Sequence, residues 1–213
     1  MNTDRLIEML STNVEPVTPR PIGRTLTWAA VVGAVVAFGV MLTTVSLRTD
    51  LTTGASLVFI ALKLLFALTV IGPGIAYLVA SVQPGREVRR RFLLVFVPFV
   101  AIGVGGVADV VLGAAAVSHS LMVGRQWILC LYCIPLFAVA PFALLIWALR
   151  IGAPTDLTRT GAIAGAVAGA VGAAAYAFHC PDDSLAFIAL WYGVSIVLCA
   201  VVGAKLGPWL LRW

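Results

Sequence analysis

Six long apolar stretches joined by short connections constrain the fold of this chain more than any other feature of its sequence. A helix needs about 20 mainly apolar residues to cross the roughly 30 Å hydrocarbon core of a bilayer. Stretches of that kind lie at 26–47, 57–82, 92–112, 128–149, 160–178 and 185–209. Charged residues make up only 11% of the 213 residues, against about 25% in a soluble domain. We therefore predict an all-α polytopic membrane protein, a bundle of six transmembrane helices.

The distribution of basic residues predicts how this bundle is oriented. Cytoplasmic loops of membrane proteins carry an excess of Lys and Arg. With six spans both termini share one side, and that side collects Arg5, Arg20, Arg24, Arg86, Arg89, Arg90, Arg91, Arg150, Arg159 and Arg212. The opposite connections hold only Arg48 and Arg125. We therefore expect both termini in the cytoplasm. The net charge of +5 then reflects topology and does not argue for nucleic-acid binding.

Residues 1–25 are predicted to form a cytoplasmic segment that precedes a transmembrane domain at 26–213. The segment is charged and proline-containing, so we expect no cleavable signal peptide. Leu6, Ile7 and Leu10 share the apolar face of a short predicted helix, and the prolines that follow favour an extended tether to the first span. The helix either lies on the membrane surface or docks its apolar face into a groove on a partner.

Small residues repeat along the fifth stretch in the run GAIAGAVAGAVGAAA. Gly161, Gly165 and Gly169 fall on one helical face, with Gly172 beside them. This spacing allows two helix backbones to approach closely. It indicates either packing inside the bundle or a homodimer formed through these glycines.

Two charged residues are predicted inside spans. Lys63 lies about two turns into the second stretch and Asp109 lies near the outer end of the third, so both fall in the same half of the bilayer. Three interpretations are open: each side chain extends to the interface, the two form a structural pair, or they line the path of a small-solute transporter.

Three of the four cysteines are predicted at the periplasmic boundary, where disulfides can form and persist. Cys130 and Cys133 open the fourth span and Cys180 follows the fifth, whereas Cys199 lies inside the sixth as a small apolar residue. The three thiols can be a static staple, a reversible pair that moves the fourth and fifth spans, or a CxxC pair that exchanges with other proteins. The charges next to Cys180 act in opposite directions, so no pKa shift follows from the sequence.

The same cysteines, together with a neighbouring histidine, form a candidate metal site. His179 and Cys180, with Cys130 or Cys133 from the other segment, are candidates for holding a soft metal ion. Their spacing matches no closed zinc motif. No cofactor is predicted.

Several strings together resemble the NrsF family. They are TDRLIEML, WILCLYCIPL, LLIWALRIGAPT, YAFHCPDDSLAFIALWYG and LGPWLLRW, spread over nearly the whole chain. The combination of HCPDDS and WYG is the most specific of them. Members of that family are six-span inner-membrane anti-sigma factors, negative regulators of an extracytoplasmic-function sigma factor.

The resemblance implies a function without catalysis. It implies that the protein holds a sigma factor inactive at the membrane, and that redox or heavy-metal stress acts through two family cysteines to release it. By position these cysteines match Cys130 and Cys180, while Cys133 looks like an addition and a rival partner for Cys180. The resemblance also implies that the cytoplasmic N-terminus binds the sigma factor, here through Leu6, Ile7 and Leu10.

An enzyme is the alternative hypothesis. A quinone-coupled thiol oxidoreductase similar in outline to DsbB also sets a CxxC pair at a periplasmic span boundary. Proteins of that kind have fewer spans and a second periplasmic cysteine pair, whereas this chain offers only Cys180 there.

Overall fold

The fold is a bundle of six membrane-spanning helices, as the sequence predicts. A computed structural model describes residues 22–49, 54–82, 89–112, 124–152 and 154–212, and within these ranges the chain forms helices and connections without a strand. Each of the six predicted stretches coincides with a helix long and apolar enough to cross a membrane, and the ends differ by a few residues. The spans are α1 (Ile22–Thr44), α2 (Gly54–Ser81), α3 (Arg89–Leu94 and Val97–Leu112), α4 (Trp127–Arg150), α5 (Leu157–Tyr176) and α6 (Leu185–Leu210).

The N-terminal predictions fall largely outside this description. Residues 1–21, which include Leu6, Ile7 and Leu10, lie outside the described residues. The first helix begins at Ile22, a few residues before the predicted start of the first span.

The central helix of the bundle is α5. Its side chains are mostly those of Gly and Ala, and nearly all of them are buried. Small side chains let neighbouring helices approach closely, and α6, α4, α2 and α1 all pack against it. By contrast, α3 lies at the periphery and is mostly exposed. Both the thiols and the charges described below are arranged around the end of α5.

The glycine face of α5 packs inside the chain. A Cβ atom added at Gly161 would meet the Gly203 carbonyl oxygen and lie 2.7 Å from the Gly207 Cα. One added at Gly165 would meet the carbonyl group of Cys199, and one at Gly169 would lie 2.9 Å from the Cys199 Cβ. The internal-packing interpretation is therefore confirmed. A homodimer through Gly161, Gly165 and Gly169 is not supported, because α6 already covers this face.

We predict that Gly165→Ala destabilises the bundle, because the added methyl group must push α6 away from α5. Overpacking of this kind costs about 1–3 kcal/mol. Unfolding of the purified protein in detergent micelles would measure the loss. The matched control is Gly39→Ala in α1, where an added Cβ meets nothing within 4 Å; equal stability of the two variants would contradict the prediction.

The two ends of the bundle differ in chemistry. At one end, which we call the thiol end, α1, α3 and α5 finish and α2, α4 and α6 begin; it carries Cys130 and Cys180. At the other end, Arg150 contacts the Leu210 carbonyl oxygen, and a Cβ atom added at Gly152 would lie 3.4 Å from Ile22. The described chain therefore starts and finishes at the end opposite the thiols. Exposed tryptophans lie near that end, at Trp28, Trp147 and Trp209.

Candidate functional site

The loop between α5 and α6, residues 177–184, forms the centre of the candidate site. It carries the sequence AFHCPDDS, and its residues contact the ends of neighbouring helices. The Ser184 side chain accepts a hydrogen bond from the Phe187 backbone amide at 3.0 Å, which caps the start of α6. Ser184 therefore fixes the end of the loop at the point where α6 begins.

Two of the predicted cysteines meet at this loop. Cys130, in the first turn of α4, and Cys180 are both fully buried free thiols. The Cys130 thiol hydrogen-bonds the Cys180 sulfur. Cys133 lies one turn further along α4 and is only partly buried. The thiol that Cys180 contacts is thus the one indicated by the resemblance.

The surroundings of Cys180 favour its thiolate. Its pKa is lowered from the ordinary value of a cysteine thiol, and the hydrogen bond from the Cys130 thiol is the largest cause. Burial opposes this shift, while the Lys63 ammonium group and the Asp182 backbone amide add to it. Because the thiolate is the nucleophile and the metal ligand, Cys180 is the more reactive member of the pair.

His179 does not take part in this activation. Its Nδ1 lies 2.6 Å from the Ser46 carbonyl oxygen and donates to it. The imidazole thus ties the α5–α6 loop to the segment that follows α1.

A buried charge cluster underlies the same loop. Lys63 is fully buried in α2, and its Nζ lies 3.0 Å from Asp183 Oδ1. Arg48, which follows α1, places Nη2 at 2.9 Å from Asp183 Oδ2. The interpretation that Lys63 pairs with Asp109 is therefore wrong. Asp183 satisfies both cations because a carboxylate has two oxygens that accept hydrogen bonds.

The same cations hold the backbone of Cys180. The Cys180 carbonyl oxygen accepts from Lys63 Nζ at 3.0 Å and from Arg48 Nη1 at 3.2 Å. Any movement of Cys180 therefore acts directly on α2 and on the segment after α1.

Two further carboxylates anchor the starts of helices at the thiol end. Asp182 accepts from the backbone amides of Arg125 and Gln126 at 3.1 and 2.9 Å, just before α4 begins. Asp109, from the end of α3, accepts from Leu185 at 3.1 Å, at the start of α6. Carboxylates are stabilising at helix N-termini because the helix dipole is positive there. Asp109 thus has a structural partner, which leaves no support for a transporter path.

Two buried tyrosines border the thiols. The Tyr176 hydroxyl contacts the Cys130 thiol and donates to Gln126 Oε1 at 3.4 Å. Tyr192 of α6 is fully buried beside Cys180. The two tyrosine rings are 6.2 Å apart, so they form one wall of the cysteine site.

Comparison with known proteins identifies the family. The family model described as NrsF, negative regulator of sigma F, matches residues 10–213. The chain belongs to the NrsF family. The anti-sigma-F factor NrsF of Caulobacter vibrioides (strain NA1000 / CB15N) is 30% identical over 220 residues, covering 100% of each chain. The probable anti-sigma-F factor NrsF of Azospira oryzae (strain ATCC BAA-33 / DSM 13638 / PS) is 27% identical over 213 residues, again covering 100% of each chain. No solved structure gives a significant match.

Membership in the NrsF family makes this chain a negative regulator of a sigma factor, which confirms the resemblance. The family is one of transcriptional regulators, and its description names no reaction.

The metal-site prediction gains no support from the geometry. Among the residues that the structure describes, no three His, Cys, Asp or Glu side chains are grouped so that they could hold a metal ion. His179 faces Ser46, while Cys130 and Cys180 face each other. The two thiols alone are left as a place where a soft metal ion could bind.

Sequence reasoning missed several residues of this NrsF site. Asp183 and Arg48 were not proposed as partners of Lys63, although Arg48 stood out as one of two arginines on the outer side. Tyr192 lies in the WYG string, and regular helical spacing does not indicate that it faces the thiols. The useful signal was the pair of carboxylates directly after Cys180, at the end of an otherwise apolar span.

Proposed function

We propose that this NrsF-family chain is a membrane-bound anti-sigma factor that sequesters an extracytoplasmic-function sigma factor and releases it under redox or heavy-metal stress. The observation that carries the proposal is the contact between two free buried thiols, Cys130 and Cys180, at one end of the bundle. The segment at residues 1–21, which precedes α1 in the sequence, supplies the sigma-binding surface through Leu6, Ile7 and Leu10.

The proposed orientation places the thiol end at the periplasm of the inner membrane. Support comes from the opposite end, where Arg150, Arg159, Lys205 and Arg212 collect, because basic residues are enriched on the cytoplasmic side. Exposed tryptophans near the same end fit the aromatic belt of a membrane interface. The periplasm is oxidising, so a thiol pair there can report a change in redox state.

Disulfide formation between Cys130 and Cys180, or binding of a metal ion by both, changes the distance between the two sulfurs. A disulfide requires an S–S length of about 2.05 Å, which is shorter than the hydrogen-bonded contact between Cys130 and Cys180. A soft metal ion held by both thiolates would instead set their separation by the lengths of its own bonds to sulfur. Either event moves Cys180 relative to α4, and it acts on Lys63 and Arg48 through the Cys180 carbonyl oxygen.

Contacts between helices carry this movement to the cytoplasmic side. Cys130 lies near the start of α4, and the same helix packs against α1, where a Cβ atom added at Gly33 would lie 2.7 Å from the Pro141 Cα. A shift of α4 is therefore passed to α1, which connects directly to the proposed sigma-binding segment. The signal acts only through its differential affinity for the holding and releasing conformations.

Co-purification tests the sequestration. We expect the full-length protein, solubilised from membranes of its own bacterium, to carry an extracytoplasmic-function sigma factor detectable by peptide mass spectrometry. A Leu6→Asp, Ile7→Asp, Leu10→Asp variant should lose it, because charges remove the apolar face. The matched control changes the polar face of the same segment, Asp4→Asn with Glu8→Gln. Absence of any sigma factor from the wild-type preparation, or equal recovery with the triple variant, would contradict the proposal.

A further inference from the structure

Tyr192 combines complete burial with an unused hydroxyl group. The residue is 0% exposed, and its hydroxyl has no hydrogen-bond partner among the residues that the structure describes. A buried hydroxyl without a partner costs free energy, so its retention in this position calls for an explanation. Phenylalanine would fill the same space without that cost.

The local helix geometry directs this hydroxyl to the thiols. Residues Ile188–Tyr192 form a π-helical turn inside α6, and turns of this kind often occur at functional sites because they redirect side chains. The Tyr192 hydroxyl lies beside the Cys180 thiol. Lys63 Nζ lies 6.0 Å from the centre of the Tyr192 ring. Cys180 is thus flanked by a buried hydroxyl that donates to no oxygen or nitrogen acceptor among the described residues.

We infer that the Tyr192 hydroxyl donates a hydrogen bond to the oxygen atom that a peroxide-class oxidant transfers to Cys180. The site would then take a two-electron oxygen donor, with Tyr192 positioning the oxygen on the sulfur. This inference rests on the proposed redox function and specifies the chemical class of the oxidant.

The reaction balances with one peroxide molecule and the two thiols. The Cys180 thiolate attacks one oxygen of the peroxide, so an S–O bond forms, the O–O bond breaks, and the other oxygen leaves as an alkoxide or hydroxide that takes up the proton lost by Cys180. Cys180 is oxidised by two electrons to a sulfenic acid, and the peroxide is reduced by two. The Cys130 thiol then attacks the Cys180 sulfur, so the S–S bond forms and the oxygen leaves as water with the Cys130 proton.

The arrangement of Cys130 and Cys180 indicates which of the two thiols is oxidised first. Cys180 accepts the hydrogen bond and Cys130 donates it, so Cys180 is oxidised first and Cys130 resolves the sulfenic acid. Tyr192 contacts the sulfur that receives the oxygen, whereas Tyr176 contacts Cys130.

The test compares two oxidants on the purified full-length protein in detergent. Hydrogen peroxide delivers an oxygen atom, while diamide closes disulfides through a sulfur–nitrogen adduct in which no oxygen is transferred. We expect Tyr192→Phe to slow peroxide-driven formation of the Cys130–Cys180 disulfide about tenfold, the effect of one lost hydrogen bond. The diamide rate should stay close to that of the wild type, and the melting temperature should not fall.

The matched control is Thr160→Val, which removes another buried hydroxyl without a partner among the described residues, in the first turn of α5 and far from the thiols. It should leave both rates unchanged. Equal peroxide rates for wild type and Tyr192→Phe would overturn the inference, as would an equal slowing with diamide. If the wild type forms no Cys130–Cys180 disulfide with either oxidant, the proposed redox function itself fails.

Discussion

A Cys180→Ser variant should keep its sigma-dependent promoters silent when cells are exposed to an oxidant or to cadmium. Serine keeps the size of the side chain but can form neither a disulfide nor a soft metal bond. Cys130→Ser should have the same effect, because Cys180 would lose its resolving partner and its hydrogen-bond donor. We expect induction in both variants to fall to the unstressed level, measured with a promoter reporter.

Cys133→Ser is the matched control for this prediction. Cys133 lies on the same helix as Cys130 and is the sequence-based rival for Cys180, yet the contact of Cys180 is with Cys130. The control should respond like the wild type. Full induction in Cys130→Ser together with lost induction in Cys133→Ser would show that the pairing is with Cys133.

The second large effect concerns Asp183. Asp183→Asn should lower the free energy of unfolding by about 3–5 kcal/mol, because Lys63 and Arg48 stay buried and lose the carboxylate that accepts from both. Asparagine preserves the shape of the side chain, so the loss reports charge and not packing. Denaturant titration of the purified protein in micelles, with intrinsic fluorescence as the signal, would measure it.

Asp156→Asn provides the control for this loss. Asp156 is an exposed carboxylate that caps α5 by accepting from the Arg159 amide at 3.0 Å, and asparagine is an equally good residue at that position. Its expected effect is below about 1 kcal/mol. A loss in Asp183→Asn no larger than that of Asp156→Asn would mean that the buried cluster does not stabilise the thiol end.

The fold could be predicted because the bilayer imposes length and composition on each span. The six apolar stretches and the close helix packing at Gly161, Gly165 and Gly169 both follow from local sequence, although the sequence left open whether the partner helix was in the same chain. Close packing along α5 needs small residues at a helical spacing, and that pattern is visible without a structure.

The charged partners could not be predicted in the same way. Lys63 and Asp183 are 120 positions apart in the sequence, and several acidic residues at the outer side were equally available to the lysine. Asp109 was the nearer choice within a span, but it accepts from the backbone at the start of α6. Which carboxylate meets which cation depends on how the helices are arranged around α5, and that arrangement is a property of the whole bundle.

The position of Tyr192 is a second feature that could not be predicted from the sequence. Its position opposite Cys180 depends on the π-helical turn at Ile188–Tyr192, which adds a residue to one turn of α6 and changes the direction of the side chains after it. Regular helical spacing does not reveal such a turn. The string WYG marked the region without indicating which residue faces the thiols.

The most direct test of the sensing mechanism follows thiols and transcription in the same cells. Cultures would be treated with increasing hydrogen peroxide, alkylated to trap free thiols, and divided for peptide mass spectrometry and promoter activity. We predict that the fraction of chains with a Cys130–Cys180 disulfide rises together with promoter activity. Full promoter induction while Cys130 and Cys180 both stay reduced would contradict the mechanism.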